Sequence, residues 1–159
     1  MPVDTEKALG AEHVDLPFRA PDRAPKGRLP TVKSGNGFSF EVNGGSEAGV
    51  AARRAVVAGN GSLPDDVREN ILLLLTELVT NAVRHAGVGP DRSLHVELRR
   101  WTQRVRVAVV DPGSGFTRAE PPSRSGGLGL FLVDRIADCW GVRSEEAGTC
   151  VWFEIEFAK

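Results

Sequence analysis

The segment SLPDDVRENILLLLTELVTNAVRHAG (residues 62–87) has the most regular hydrophobic pattern in the chain. Ser62 and Asp65 have the spacing of a capping box, proline suits the first turn, and Gly87 is a natural helix stop. The apolar residues between these ends recur at helical spacing: Val67, Ile71, Leu74, Leu75, Leu78 and Ala82. The segment therefore predicts a long amphipathic helix that buries one face in a core.

Shorter patterns on both sides of this helix predict the remaining elements, because alternating residues indicate strands and glycine-bounded periodic stretches indicate helices. They are a strand at 38–42, a helix at 46–59, a hairpin at 93–101 and 104–111, a helix at 128–140 closed by Gly141, and a hairpin at 142–145 and 149–157. This order favours an α+β fold, a two-layer α/β sandwich whose mostly antiparallel, mixed sheet is covered by helices on one face.

Proline content separates the N-terminus from this domain. Five of the ten prolines lie in residues 1–35, where hydrophobic periodicity is absent. Such a segment cannot bury enough apolar surface to offset the entropy of ordering it. We expect a flexible, proline-rich tail at 1–35 and one globular domain at 36–159.

Charge and hydropathy exclude several classes of partner. The formal net charge is -1, whereas a nucleic-acid surface normally shows a basic excess. The longest apolar run, residues 71–75, is far shorter than the roughly 18 residues that span a bilayer, and residues 1–10 lack the order of a secretory signal. We therefore expect a cytoplasmic protein in which Cys139 and Cys150 are reduced.

A polar stripe runs along the long helix beside its apolar face. At about 100° per residue, Glu77, Asn81 and Arg84 lie within roughly 60° of one another. Carboxylate and amide oxygens are ligands suited to Mg²⁺, and a guanidinium suits phosphate oxygens. The alternative is a solvated helix edge with no ligand.

Two glycine-rich segments follow. Asp111-Pro-Gly-Ser-Gly115-Phe116 comes directly after a strand, and its carboxylate can accept a hydrogen bond from an exocyclic amine, although the segment can also be an ordinary turn. Ser125-Gly-Gly-Leu-Gly-Leu130 opens a helix, where free N–H groups favour phosphate, although it can also be a hinge. Neither segment has the pattern of a P-loop or of a dinucleotide-binding fingerprint.

Four motifs together resemble the GHKL ATPases, which include DNA gyrase and the histidine kinases. They are E-L-V-T-N-A at 77–82, D-P-G-S-G at 111–115, G-G-L-G-L at 126–130 and G-T-C-V-W-F at 148–153. Among members of this superfamily, the chain looks most similar to the bacterial anti-sigma-factor serine/threonine-protein kinases. The resemblance implies the Bergerat ATP-binding fold and implies ATP and Mg²⁺ as cofactors.

The resemblance also implies roles for the matching positions. Asn81 would coordinate Mg²⁺, and Glu77 would be the general base. Asp111 would hydrogen-bond the adenine amino group, and Thr149 would contact adenine directly or through water. The remaining nucleotide-binding positions would be Gly113 and Gly115 beside Asp111, Gly127, Gly129 and Leu130 at the phosphates, and Arg84, which matches a basic position of the histidine kinases.

The function that this resemblance implies is an ATP-dependent serine/threonine protein kinase. It would phosphorylate an anti-anti-sigma-type antagonist and sequester a regulatory partner such as a sigma factor, and its relatives suggest a homodimer. The alternative is an ATP-gated protein-interaction module without significant kinase activity. A sensor histidine kinase fits less well, because residues 1–35 do not have the pattern of a two-helix dimerisation element.

Overall fold

The structure is a computed structural model that describes residues 32–34, 37–59, 63–112, 127–145 and 148–158. Six strands and three helices form within these ranges. In chain order they are β1 (Val32–Ser34), β2 (Gly37–Asn43), α1 (Ala48–Gly59), α2 (Asp65–Ala86), β3 (Ser93–Arg100), β4 (Arg104–Asp111), α3 (Gly127–Ile136), β5 (Cys139–Glu145) and β6 (Gly148–Glu156).

The strands form one sheet in the order β1-β2-β3-β4-β6-β5. All five pairings between the described strands are antiparallel, so this part of the sheet is not mixed. Alternate strand residues and the apolar faces of the helices share one main core, which includes Phe40, Val96, Val107, Phe153, Ile71 and Leu75. The predicted two-layer α+β sandwich is confirmed.

Helix α2 forms the centre of the helical layer. Its buried residues include Val67, Ile71, Leu74 and Leu78, as the periodicity predicts. The helix ends at Gly87, which adopts the left-handed conformation (φ 61°) and donates its N–H to the Val83 carbonyl. None of the described helices is long and apolar enough to cross a membrane.

The start of α2 differs from the predicted capping box. Pro64 occupies the N-cap and provides no side-chain cap hydrogen bond, and Ser62 lies outside the described residues. The Asp65 carboxylate instead accepts a hydrogen bond from Arg68, at 2.6 Å. Asp65 is thus in the first turn, where its charge interacts favourably with the positive end of the helix dipole.

Two element boundaries were wrong. Residues 32–34, assigned to the tail, form the edge strand β1, which pairs with β2. Helix α3 ends at Ile136, and Cys139–Gly141 begin β5 because Trp140 pairs with Phe153 in the sheet. Gly141 is therefore not a helix stop. Residues 1–31 lie outside the described residues, so the rest of the domain division stays a prediction.

The other face of the sheet carries a smaller apolar cluster, which we call the outer cluster. It consists of the buried strand residues Ala108, Val110, Cys150 and Trp152, with Cys139 packed against them. The Arg106 guanidinium lies over the Trp152 ring, 4.3 Å from its centroid. Beside it the buried Glu154 carboxylate pairs with Arg106 at 2.6 Å and with Arg104 at 3.5 Å. Cys139 and Cys150 are not joined by a disulfide bond.

Candidate functional site

Asp111 and Thr149 form a polar pair at one end of the sheet. They are Cα partners in the pairing of β4 with β6, and their side chains are 6% and 4% exposed. Val105, Val107 and Val109 of β4 point into the main core, so alternation places Asp111 on this same face. Directly opposite residues have Cβ atoms about 4.5–5.5 Å apart, so one ligand can contact both side chains.

Helix α2 reaches the same end of the sheet. After Gly87 the chain enters β3 at Ser93, which pairs with Asn43 at the end of β2. Two residues later His95 pairs with Val110, next to Asp111. The C-terminal half of α2 therefore lies at the Asp111 end of the sheet.

The predicted polar stripe of α2 lies in this half. Leu78 is in the core, whereas Glu77 and Asn81 are half-buried and Arg84 is exposed. Within the described residues neither Glu77 nor Asn81 forms a side-chain hydrogen bond or an ion pair. These two side chains lie one helical turn apart at the border of the core, where they can bind a ligand.

The start of α3 lies toward the same end. The helix leads into β5 at Cys139, which pairs with Glu154 near the far end of β6. Its first residue, Gly127, consequently lies toward Asp111, with Gly129 in the same turn. The Leu130 side chain packs against the main core, which leaves its backbone as the group available to a ligand. The N–H groups of a helix start favour an anion.

Gly113 and Gly115 lie outside the described residues, so their predicted contacts stay predictions. Pro112, the residue before them, makes a contact that the sequence did not reveal. Arg92 Nη2 donates a hydrogen bond to the Pro112 carbonyl, at 2.6 Å. Arg92 lies in a turn and matches no motif, so no sequence signal identified it.

No group of three or more acidic, histidine or cysteine side chains within the described ranges could hold a metal ion. A Mg²⁺ ion in a nucleotide site commonly takes one or two protein ligands and completes its shell with phosphate oxygens and water. The half-buried amide of Asn81 could supply such a ligand.

Comparison with known proteins found a family model and several proteins that match this chain. The family described as "Histidine kinase-like ATPase domain" matches residues 46–155. The serine-protein kinases RsbW of Listeria innocua serovar 6a and Listeria monocytogenes serotype 4b are each 29% identical to this chain over an alignment of 97 positions, and the match covers 52% of this chain. The alignment spans 62% of the length of these relatives.

One solved structure that is similar to this chain is the histidine kinase domain of the Erythrobacter litoralis EL346 blue-light activated histidine kinase. It is 26% identical, with a TM-score of 0.43, over 69% of this chain and 59% of that one. The family match covers more than half of the chain and contains the motifs at 77–82, 111–115, 126–130 and 148–153. The chain belongs to the family of histidine kinase-like ATPase domains.

Proposed function

We propose that this protein is an ATP- and Mg²⁺-dependent serine/threonine protein kinase of the anti-sigma-factor type. In this proposal it phosphorylates an antagonist protein and sequesters a regulatory partner such as a sigma factor. The observation that carries the proposal is the buried Asp111–Thr149 pair, at the end of the sheet to which the Glu77–Asn81 helix extends. The RsbW relatives, named as serine-protein kinases, support the choice of reaction.

The buried pair would select adenine. The Asp111 carboxylate accepts hydrogen bonds, and the Thr149 hydroxyl both donates and accepts them. Adenine presents an amino group as a donor, whereas guanine presents a carbonyl oxygen at the corresponding ring position. The carboxylate and that carbonyl oxygen are both acceptors and cannot hydrogen-bond to each other, so the site should bind ATP in preference to GTP.

The phosphates and the metal would lie between α2 and α3. The first turn of α3, with Gly127, Gly129 and Leu130, would donate backbone N–H groups to phosphate oxygens. Asn81 would hold Mg²⁺, which neutralises charge on the transferring phosphoryl group. Exposed Arg84 would add a cation, and Gly113 and Gly115 would border the adenine.

Glu77 would act as the base of the transfer. Its carboxylate would take the proton from the substrate hydroxyl as that oxygen bonds to the γ-phosphorus. The bond from the γ-phosphorus to the bridging oxygen then breaks, and ADP leaves with the electron pair. A positioned base of this kind contributes about 10²–10⁴-fold to the rate.

Transfer from [γ-³²P]ATP to candidate antagonist proteins tests the proposal. Glu77→Gln should slow transfer by about 100-fold or more and leave ATP affinity nearly unchanged. Glu69→Gln is the matched control, because Glu69 is an exposed glutamate on the same helix. Wild-type protein that binds ATP but phosphorylates none of the antagonists would count against the kinase.

A second candidate is an ATP-gated interaction module without useful kinase activity. It is favoured by one observation, that Glu77 has no hydrogen-bond partner within the described residues to orient it as a base. The two functions differ in one experiment. Release of a bound partner that survives Glu77→Gln but is lost in Asp111→Asn would favour binding over catalysis.

The protein partners and the assembly also belong to this proposal. We expect a cytoplasmic homodimer that exchanges partners as ATP is replaced by ADP. Pull-downs from the native host with each nucleotide should capture different proteins, and light scattering of the purified chain should give twice the monomer mass. An identical set of captured proteins with both nucleotides would contradict the exchange.

A further inference from the structure

The structure assigns a positioning role to Arg92, and this inference rests on the proposed ATP site. We infer that the hydrogen bond from Arg92 to Pro112, which we call the Arg92 clamp, holds the end of β4 and thereby sets the position of the Asp111 carboxylate. The clamp would make Arg92 a determinant of nucleotide affinity without a contact between Arg92 and the nucleotide.

The Arg92 clamp lies just beyond the end of the register between β3 and β4. The last register pair between β3 and β4 is His95 with Val110, so on this side the strand ladder stops one residue before Asp111. The next residue, Pro112, has no N–H and can offer only its carbonyl oxygen to a neighbour. The Arg92 guanidinium supplies the donor, at 2.6 Å.

Arg92 is itself held by its backbone. Its N–H donates to the Gly89 carbonyl at 3.1 Å, and its carbonyl accepts from the Gly44 N–H at 2.8 Å. Gly44 is packed so closely that an added Cβ would lie 2.0 Å from the Val88 oxygen. The guanidinium therefore extends from a fixed turn between α2 and β3 to the end of β4.

The position of the clamp connects it to the site. Asp111 is held by Thr149 of β6 on one side, and the residue after it is held by Arg92 on the other. Pro112 also directly precedes the segment that contains Gly113 and Gly115. Loss of the clamp would let the end of β4 shift, and the carboxylate would lose its alignment with adenine.

Arg92→Met tests the clamp, because methionine keeps an apolar stem but removes every donor. We expect the Kd for ATP and the Kd for adenosine each to rise about tenfold, the ratio expected for loss of one hydrogen bond from a charged donor. Arg92→Lys, which retains one charged donor, should restore part of the affinity. Arg54→Met is the matched control, since Arg54 is exposed on α1 and makes no side-chain hydrogen bond among the described residues.

Four results would overturn the clamp. Unchanged ATP affinity in Arg92→Met would show that the contact has no effect. Weaker ATP binding with unchanged adenosine binding would show that Arg92 contacts phosphate directly. A fall of several degrees in Tm without nucleotide, with no rescue by lysine, would show a general structural role. Wild-type protein that binds neither ATP nor adenosine would instead refute the ATP site, and the clamp with it.

Discussion

Two buried carboxylates lie on the same pair of strands, β4 and β6, and they differ in almost every other respect. Glu154 is on the outer face, near the far end of the sheet, and two arginines of β4 pair with it. Asp111 is on the core face at the other end, where it is the last residue of its strand and the partner of Thr149. The exposed fractions of the two residues are 3% and 6%, so burial alone does not distinguish them.

Glu154 has a role in the fold, whereas Asp111 is placed where it can contact a ligand. The charge of Glu154 is balanced by cations from the adjacent strand, and loss of one partner of such a pair leaves a buried charge uncompensated. Asp111 is the last residue of β4, at the end of the sheet toward which the C-terminal half of α2 and the start of α3 lie. Loss of Glu154 should therefore affect folding, and loss of Asp111 should affect the ligand.

Asp111→Asn should have the largest effect on ATP binding. Replacement of the charged acceptor should raise the Kd for ATP about 100-fold, near the upper range for a hydrogen bond that involves a charged group. Equilibrium binding of ATP measures the change. Asp66→Asn, an exposed acid of α2, should bind ATP like the wild type. An unchanged Kd in Asp111→Asn would place adenine elsewhere.

Glu154→Gln should lower the stability of the protein and leave its affinity for ATP nearly unchanged. Removal of the carboxylate leaves Arg106 and Arg104 without their buried partner, and we expect the free energy of unfolding to fall by about 2 kcal/mol. This is below the range for fully buried pairs, because the arginine side chains are 17% and 30% exposed. Urea denaturation measures the loss, and ATP affinity of the folded protein should stay within about twofold. Unaltered stability would make the ion pairs incidental.

Thr149→Val should also weaken ATP binding, but less than Asp111→Asn does. Valine keeps the shape of threonine but removes the hydroxyl, so ATP should bind about tenfold more weakly, a loss equivalent to roughly one hydrogen bond. Ser39→Ala, on the other face of the sheet in β2, is the control. If the valine variant bound ATP as tightly as the wild type, Asp111 would contribute to ATP binding and the Thr149 hydroxyl would not.

Replacement of His95 should have the smallest effect, which is a change in stability at acid pH. Burial lowers the pKa of His95 below its usual 6.5, and the nearby Glu97 raises it in part. Since the unfolded chain binds the proton more readily, the contribution of His95 to stability is complete above about pH 6.5 and is lost as the pH falls through the lower folded pKa. Burial raises the pKa of Glu41, the cross-strand partner of His95.

The difference between wild type and His95→Gln isolates the histidine, because Glu41 is present in both proteins. The wild type should lose more Tm than the variant between pH 7.5 and pH 5.5. Equal losses in the two proteins would contradict a lowered pKa for His95. ATP affinity at neutral pH should be the same in both, since His95 lies on the outer face.

The sequence correctly predicted the helices and strands that have a regular hydrophobic pattern. The spacing of apolar residues in α2 and the alternation in β3 and β4 identified both elements, and Gly87 marked the end of the helix. Trp140 misled the prediction, because its spacing from Val133 and Ile136 also fits a helix. Its place in β5 depends on pairing with Phe153, which lies in a different strand. The short strand β1 had no periodicity to reveal it.

The candidate site shows the same limit. Asp111 and Thr149 were assigned to adenine through the family resemblance, but their direct opposition follows from the register of β4 against β6, which no local pattern specifies. The same holds for Arg92, which precedes β3, and Pro112, which follows β4, because they meet through the antiparallel pairing of these two strands. Alternating arginines in β4 and glutamates in β6 did offer a signal for the Glu154 network.

Titration of ATP and GTP into the wild type and into Asp111→Asn, by isothermal calorimetry with Mg²⁺ present, tests the central claim most directly. We predict saturable binding of one ATP per chain in the wild type, much weaker binding of GTP, and a loss of about 100-fold in ATP affinity in the variant. Absence of ATP binding to the folded wild type, or ATP binding that is undiminished in Asp111→Asn, would contradict an ATP site at this end of the sheet.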